Sequence, residues 1–149
     1  MTNTDGDSGP GDEHIVVDGH EFVLRPVSRR RADAGPIQLK KPRWMVDRYR
    51  ELAEEFSGGS VVELGLWDGG STAFLASLLR PRMLIGVELE PRRLPQLDRF
   101  LENSPLAGHV HVELGVDQAD AATLRRLIAD HVGDEPLDLV IDDASHLLE

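Results

Sequence analysis

Two carboxylates, a hydroxyl and an imidazole follow the apolar run LDLVI, in the sequence DDASH at 142–146. Carboxylates suit Mg²⁺, which proteins commonly hold with one or two of them and several waters, so Asp143 is the first candidate ligand and Asp142 the second. The imidazole of His146 can remove the proton of a hydroxyl near neutral pH, and a metal would lower the pKa of that hydroxyl. The alternative is structural: Asp143 and Ser145 cap a helix, and His146 lies in its first turn.

Three glycines and a serine lie close together in the segment ELGLWDGGS at 63–71. Gly65, Gly69 and Gly70 permit a tight turn and the close approach of a ligand to the backbone. Ser71 can cap a following helix, whose first amides favour an anion or a carboxylate. The spacing is neither the dinucleotide-binding G-x-G-x-x-G nor a phosphate-binding loop that ends in Gly-Lys-Ser/Thr. The alternative is that any turn from a strand into a helix favours glycine.

Two further polar clusters follow apolar runs. Glu88 lies in IGVELEP at 85–91, and Asp117 and Gln118 lie in GVDQAD at 115–120. A carboxylate at the carboxyl end of a strand can take both hydroxyls of a ribose. Each acid taken alone is more often a helix cap or a solvated turn residue, but three polar clusters after three successive strands favour a binding site.

The elements that position these clusters follow from hydrophobic periodicity. The predicted strands are the apolar runs at 61–64, 83–87, 109–116 and 137–141. The predicted helices are an amphipathic stripe from Met45 to Phe56 and the segments 71–79, 94–102 and 121–131. Strands that alternate with helices are typical of βαβ units in a parallel sheet. We therefore predict an α/β fold, a Rossmann-like open parallel sheet of about four strands with helices on both faces.

The N-terminal part of the chain is less regular. Residues 1–13 are acidic and polar, which predicts a disordered tail. Two apolar runs around Asp18-Gly19 predict a small hairpin within 14–27. The basic segment 28–42, with the clusters SRRR and KKPR, predicts an irregular linker, and we favour a solvated or substrate-rim position for it over nucleic-acid or phosphate binding. The predicted organisation is therefore a tail at 1–13, a hairpin and basic linker at 14–43, and a ligand-binding domain at 44–149.

Composition excludes several functions. The chain has 16 basic and 27 acidic residues and a net charge of −11, which argues against a nucleic-acid partner. No run of about 18 apolar residues exists, so we expect no membrane partner. The chain has no cysteine, which excludes disulfides and thiolate sites. A polar, acidic start unlike a signal peptide, together with the lack of cysteine, favours a cytoplasmic protein.

The segments ELGLWDGGS, IGVELEP, GVDQAD and LDLVIDDASH together resemble the class I S-adenosylmethionine-dependent methyltransferases. The likeness is greatest to the branch with the cephalosporin-hydroxylase-like proteins and the macrolide sugar O-methyltransferases, and it covers residues 44–149. The resemblance implies that this domain binds S-adenosylmethionine. The residues that it places around the methionine moiety are Glu63, Gly65, Gly69, Gly70 and Ser71.

The same resemblance implies further contacts. Glu88 would hold the ribose, Asp117 and Gln118 would flank the adenine, and Asp142 would join the cofactor contacts. The usual Gly-Asp pair after the third strand reads Val116-Asp117 here. In the resembling sugar enzymes an aspartate three residues before a histidine binds the metal and the histidine acts as the base, and Asp143 and His146 have that spacing.

The function that these patterns favour is an S-adenosylmethionine-dependent O-methyltransferase. Its acceptor would be a hydroxylated small molecule, a sugar or natural product, with Mg²⁺ at Asp143 and His146 as the base. One alternative is a non-catalytic cofactor-binding fragment or subunit that needs a partner. Another is an NAD-dependent oxidoreductase, which the absence of G-x-G-x-x-G disfavours.

The length of 149 residues is compatible with one domain. In the resembling fold, further strands pair beyond the one predicted at 137–141, so here that strand would be an apolar edge. We therefore expect the cofactor-binding half of a longer methyltransferase, which is either truncated or completed by a partner chain or a homo-oligomer.

Overall fold

The computed structural model describes residues 11–26, 28 and 34–144. It begins with a three-stranded sheet of β1 (Glu13–Val17), β2 (His20–Leu24) and β3 (Ile37–Leu39). The first two strands are antiparallel, with Val17 opposite His20, and this confirms the predicted hairpin. Strand β3 pairs parallel to β2, although the sequence predicts an irregular linker there. Three residues are too few for hydrophobic alternation to indicate a strand.

Helix α1 (Arg43–Phe56) follows two residues after Lys41. Its buried residues are Val46 and Tyr49, and the predicted stripe from Met45 to Phe56 faces the same core. The backbone leaves the helix at Ser57, before the glycine pair at 58–59. The apolar periodicity therefore located this helix to within two residues of its start.

The second half of the described chain alternates strands and helices as predicted. In chain order the elements are β4 (Ser60–Leu64), α2 (Gly70–Leu79), β5 (Met83–Glu88), α3 (Pro95–Glu102), a short 3₁₀ helix (Ala107–His109), β6 (Val110–Leu114), α4 (Ala121–His131) and β7 (Leu139–Asp142). Helix α4 is capped by Asp120, which accepts hydrogen bonds from the Thr123 amide at 3.1 Å and the Thr123 hydroxyl at 2.7 Å. These two bonds hold the pKa of Asp120 below its ordinary value.

The four strands form one parallel sheet in the order β6-β5-β4-β7. The register places Leu64 opposite Val87 on one side and opposite Asp142 on the other. The order reverses at β4, because β5 and β7 lie on opposite sides of it. In open sheets of this kind a crevice forms at the carboxyl ends of the strands where the order reverses. The fold is the predicted Rossmann-like α/β sheet.

Alternate residues of β4 point to opposite faces of the sheet. Val61 packs in the larger hydrophobic cluster with α1, α2 and α3. Val62 packs in the smaller cluster with Leu127 of α4. The N-terminal sheet belongs to the larger cluster, where the rings of Phe22 and Phe74 meet edge to face at 5.4 Å. Helices therefore cover both faces, and the small sheet packs on α2.

In the described part of the chain, no helix is long and apolar enough to cross a membrane. The longest of these helices is α1, with 14 residues, whereas a span needs about 20.

Candidate functional site

A cavity of about 390 Å³ opens at the carboxyl ends of β4 and β7. The predicted site residues Ser71 and Asp143 line it. Its other lining residues are Ser28, Lys40, Lys41, Leu66, Trp67, Asp68 and Ala144. The cavity therefore lies at the point where the strand order reverses, and its wall carries two lysines and two aspartates.

The loop after β4 forms one side of the cavity. Its first residue, Gly65, has φ +84°, and its amide donates to the Val87 carbonyl at 2.8 Å. A side chain at Gly65 would meet the Ala144 backbone at 2.6 Å, so the segment after β7 crosses directly over it. Trp67 also has a positive φ, +55°, which is a costly conformation for a large side chain. The indole is 46% exposed at the cavity rim.

Gly69 and Gly70 contact protein rather than open space. A Cβ on Gly69 would lie 2.6 Å from the Leu97 Cβ, and one on Gly70 would lie 2.0 Å from the Gln38 carbonyl oxygen. The absence of side chains at these positions lets α3 and β3 pack against the start of α2. Both residues were predicted to lie near the cofactor, and in the structure both are buried.

Glu63 is fully buried below the cavity. Its carboxyl group accepts hydrogen bonds from the hydroxyls of Ser71 and Thr72, in the first turn of α2. Burial raises the pKa of Glu63 to about 7, against the lowering effect of these hydroxyls and of the charge on Lys41. Glu63 thus ties β4 to α2, and it is not part of the cavity wall.

Glu88 ends β5 and connects that strand to the glycine loop. Its Oε2 accepts the amides of Leu66 at 2.8 Å and Trp67 at 2.9 Å, and its Oε1 accepts the Glu90 amide at 3.1 Å. A carboxylate has about four acceptor positions, and these three bonds leave capacity for a ligand hydroxyl. The half-buried carboxylate is therefore fixed in position at the sheet edge, where the sequence predicts a ribose contact.

Asp117 and Gln118 follow β6 at the same edge. Asp117 accepts the Ala119 amide at 2.8 Å and is exposed. The Oε1 atom of Gln118 is buried and has no hydrogen-bond donor among the described residues. A buried acceptor without a donor is costly, and an amino group of a ligand would satisfy it. The edge thus offers a fixed carboxylate and a buried amide oxygen, which fit a ligand with ribose hydroxyls and an amino-bearing base.

The segment after β7 carries the predicted metal ligand. The Asp143 amide continues the sheet ladder by donating to the Leu64 carbonyl at 2.8 Å. Its carboxylate is paired with the ammonium group of Lys41, while the neighbouring Asp142 accepts the Ala144 amide at 3.3 Å. The described residues therefore do not fit Mg²⁺ at Asp143, because a lysine holds that carboxylate. The predicted base, His146, lies outside the described residues.

Lys40 and Lys41 are the functional candidates that the sequence did not single out. Lys40 donates to the Ser28 hydroxyl at 3.3 Å and lies 3.8 Å from the Asp68 carboxylate. Both lysines follow β3 and line the cavity, and the buried Gln96 amide holds this strand by hydrogen bonds to both backbone groups of Gln38, at 3.0 and 3.2 Å. The basic cluster KKPR was the sequence feature that could have indicated these two lysines. A position at the substrate rim was among the interpretations of that basic segment.

A comparison with models of known protein families found no match to this chain, and neither did a comparison with curated proteins.

Proposed function

We propose that this protein is an S-adenosylmethionine-dependent O-methyltransferase that acts on a hydroxylated small molecule, a sugar or natural product. The observation that carries the proposal is the Glu88 carboxylate, fixed by the Leu66 and Trp67 amides beside a cavity at the reversal point of a parallel sheet. This is the place where Rossmann-like folds bind a ribose. The motif resemblance supplies the choice of cofactor.

The residues of the chain have separate tasks in this proposal. Glu88 accepts a hydrogen bond from a ribose hydroxyl, and the amide oxygen of Gln118 accepts one from the adenine amino group. S-adenosylmethionine supplies the methyl group. The cavity between Ser71 and Asp143 holds the acceptor in line with the donor, and orientation is the main requirement of a single displacement step. His146 takes the proton that leaves the acceptor hydroxyl.

The direct test is calorimetric titration of the wild type with S-adenosylmethionine, S-adenosylhomocysteine and NAD. We expect the first two to bind and NAD not to bind. Glu88→Gln should weaken binding by about tenfold to a hundredfold, because a hydrogen bond to a charged group contributes about 1.5–3 kcal/mol. Glutamine can still accept the loop amides, so the loop should keep its shape.

Glu90→Gln is the matched control, because it removes an exposed carboxylate two residues away and leaves the Glu90 amide on Glu88. We expect its affinity to equal that of the wild type. If S-adenosylhomocysteine does not bind, the proposal is rejected. Binding without methyl transfer to any hydroxylated acceptor would favour the non-catalytic cofactor-binding subunit.

The proposal also covers the compartment, the partners and the oligomeric state of the enzyme. We place the enzyme in the cytoplasm, since a chain without cysteine does not depend on an oxidising compartment. Its partner is the small-molecule acceptor, and neither nucleic acid nor membrane is a partner. A homo-oligomer or a completing chain would cover the apolar outer strand β7, whose Val140 is 51% exposed. Sedimentation analysis of the purified chain tests the homo-oligomer, because it measures the mass of the species in solution.

A further inference from the structure

We propose that the ammonium group of Lys41 is the fixed cation of this cavity, in the place beside Asp143 where the sequence predicts a divalent metal. The site would then bind its ligand and act without Mg²⁺. The methyl-transfer part of this inference rests on the proposed function, whereas the exclusion of a metal from Asp143 does not.

The first support is the contact itself. The Lys41 ammonium donates a hydrogen bond to Oδ2 of Asp143, across 102 positions of the sequence. The lysine side chain is 8% exposed and the aspartate side chain 40% exposed, so the cation is the more buried member of the pair, and both residues line the cavity. A buried lysine is almost always paired, and this carboxylate is its partner among the described residues.

The second support is that rigid elements hold Lys41 on both sides. Strand β3 ends at Leu39, two residues before it, and α1 begins at Arg43, two residues after it. Strand β3 is itself attached to α3 through Gln96. The backbone of Lys41 therefore has little freedom to withdraw from Asp143.

The third support is electrostatic. A divalent ion on Asp143 would lie within a few ångströms of the Lys41 charge, and two cations at that distance in a partly buried site repel strongly. An ammonium group has three N–H donors, and the described residues account for one of those on Lys41. Because Lys41 also lines the cavity, its other donors can bind a hydroxyl or carboxylate oxygen of the ligand, as a metal ion would.

The experiment is a titration of the full chain with Mn²⁺, a stand-in for Mg²⁺ whose free form is measured by electron paramagnetic resonance. The proteins are the wild type, Lys41→Arg, Lys41→Met, Asp143→Asn and the double variant Lys41→Met/Asp143→Asn. We expect the wild type, Lys41→Arg and Asp143→Asn to bind the same small amount on surface acids. Lys41→Met removes the positive charge beside Asp143, so it should bind Mn²⁺ at least about tenfold more tightly than the wild type, and the double variant should lose that gain.

Two results would overturn the inference. One is a wild type that binds an equivalent of Mn²⁺ which Asp143→Asn lacks. The other is a folded Lys41→Met that binds no more Mn²⁺ than the wild type. If Lys41→Met does not fold, the comparison of the wild type with Asp143→Asn decides, and equal binding supports the inference.

A second measurement links the inference to the ligand. Wild-type affinity for S-adenosylhomocysteine should be the same in excess EDTA and in excess Mg²⁺, and an affinity that needs Mg²⁺ would contradict the inference. If this ligand fails to bind in both buffers, the proposed function falls, while the Mn²⁺ titrations still decide the place of Lys41.

Discussion

Glu63 makes the stability of this protein depend on pH in an unusual direction. Its carboxyl group is fully buried, and its pKa rises from 4.5 to about 7 because burial disfavours the charged form. Between pH 4.5 and 7 the unfolded chain therefore releases a proton that the folded chain retains. The unfolded state binds fewer protons in this range, so the free energy of unfolding falls as the pH rises.

The magnitude follows from the shift. One pKa unit corresponds to about 1.4 kcal/mol, so Glu63 should reduce the stability of the wild type by about 3 kcal/mol between pH 4.5 and pH 7. Glu63→Gln removes the titration and keeps an oxygen that can accept from Ser71 or Thr72. As the pH rises from 4.5 to 7, the free energy of unfolding of Glu63→Gln should increase by about 3 kcal/mol relative to that of the wild type.

The assay is urea unfolding of both proteins, followed by circular dichroism at several pH values from 4.5 to above 7. Only the difference between the two curves matters, because the other carboxylates titrate equally in both proteins. Ser71→Ala provides a second check: the Ser71 hydroxyl lowers the pKa of Glu63, so its removal should extend the pH-dependent range upward. Parallel profiles for the wild type and Glu63→Gln would refute the reasoning.

Two further predictions concern the packing and the rim of the cavity. Gly70→Ala should destabilise the protein by about 3 kcal/mol in urea unfolding, since its Cβ would lie 2.0 Å from the Gln38 carbonyl oxygen. Gly108→Ala is the control: its Cβ would meet nothing within 4 Å, and a change beyond about 1 kcal/mol there would contradict the packing argument. Trp67 lines the cavity and Trp44 does not, so S-adenosylhomocysteine should change the fluorescence of Trp44→Phe. The fluorescence of Trp67→Phe, which comes from Trp44, should not change when S-adenosylhomocysteine is added. A change in that variant would indicate that the ligand binds outside the cavity.

The fold was predictable because its signals are local. Each of the four parallel strands is an apolar run, the apolar residues of α3 and α4 repeat with helical periodicity, and α2 is apolar on nearly every side. The strands of the hairpin flank Asp18-Gly19, where both residues adopt positive φ, as a tight turn requires. Strand β3 was missed because three residues are too few for an alternating pattern, and its contact with Gln96, 58 positions away, is not encoded by any local pattern either.

The glycine motif shows a different limit of sequence reasoning. A glycine indicates that a side chain is excluded, but it does not indicate what fills the space. Gly70 was interpreted as room for a ligand, whereas the backbone of Gln38 occupies that room. Glu63 was interpreted as a cofactor contact, and the structure adds that its carboxyl group accepts hydrogen bonds from two hydroxyls of α2. By contrast, Glu88 lies at the strand end that the apolar run indicated, because the end of a strand is a local property.

The position of Lys41 shows why the N-terminal sheet belongs to the site. The lysine follows β3, which pairs with β2 and whose Gln38 backbone is bound by the Gln96 amide. Asp143 follows β7, which pairs with β4. Lys41 thus follows a strand of the N-terminal sheet, whereas Asp143 follows a strand of the parallel sheet. The ion pair therefore connects the two sheets. A substitution that loosens β3 should therefore release Asp143 from its counter-charge, although β3 itself contributes no residue to the parallel sheet.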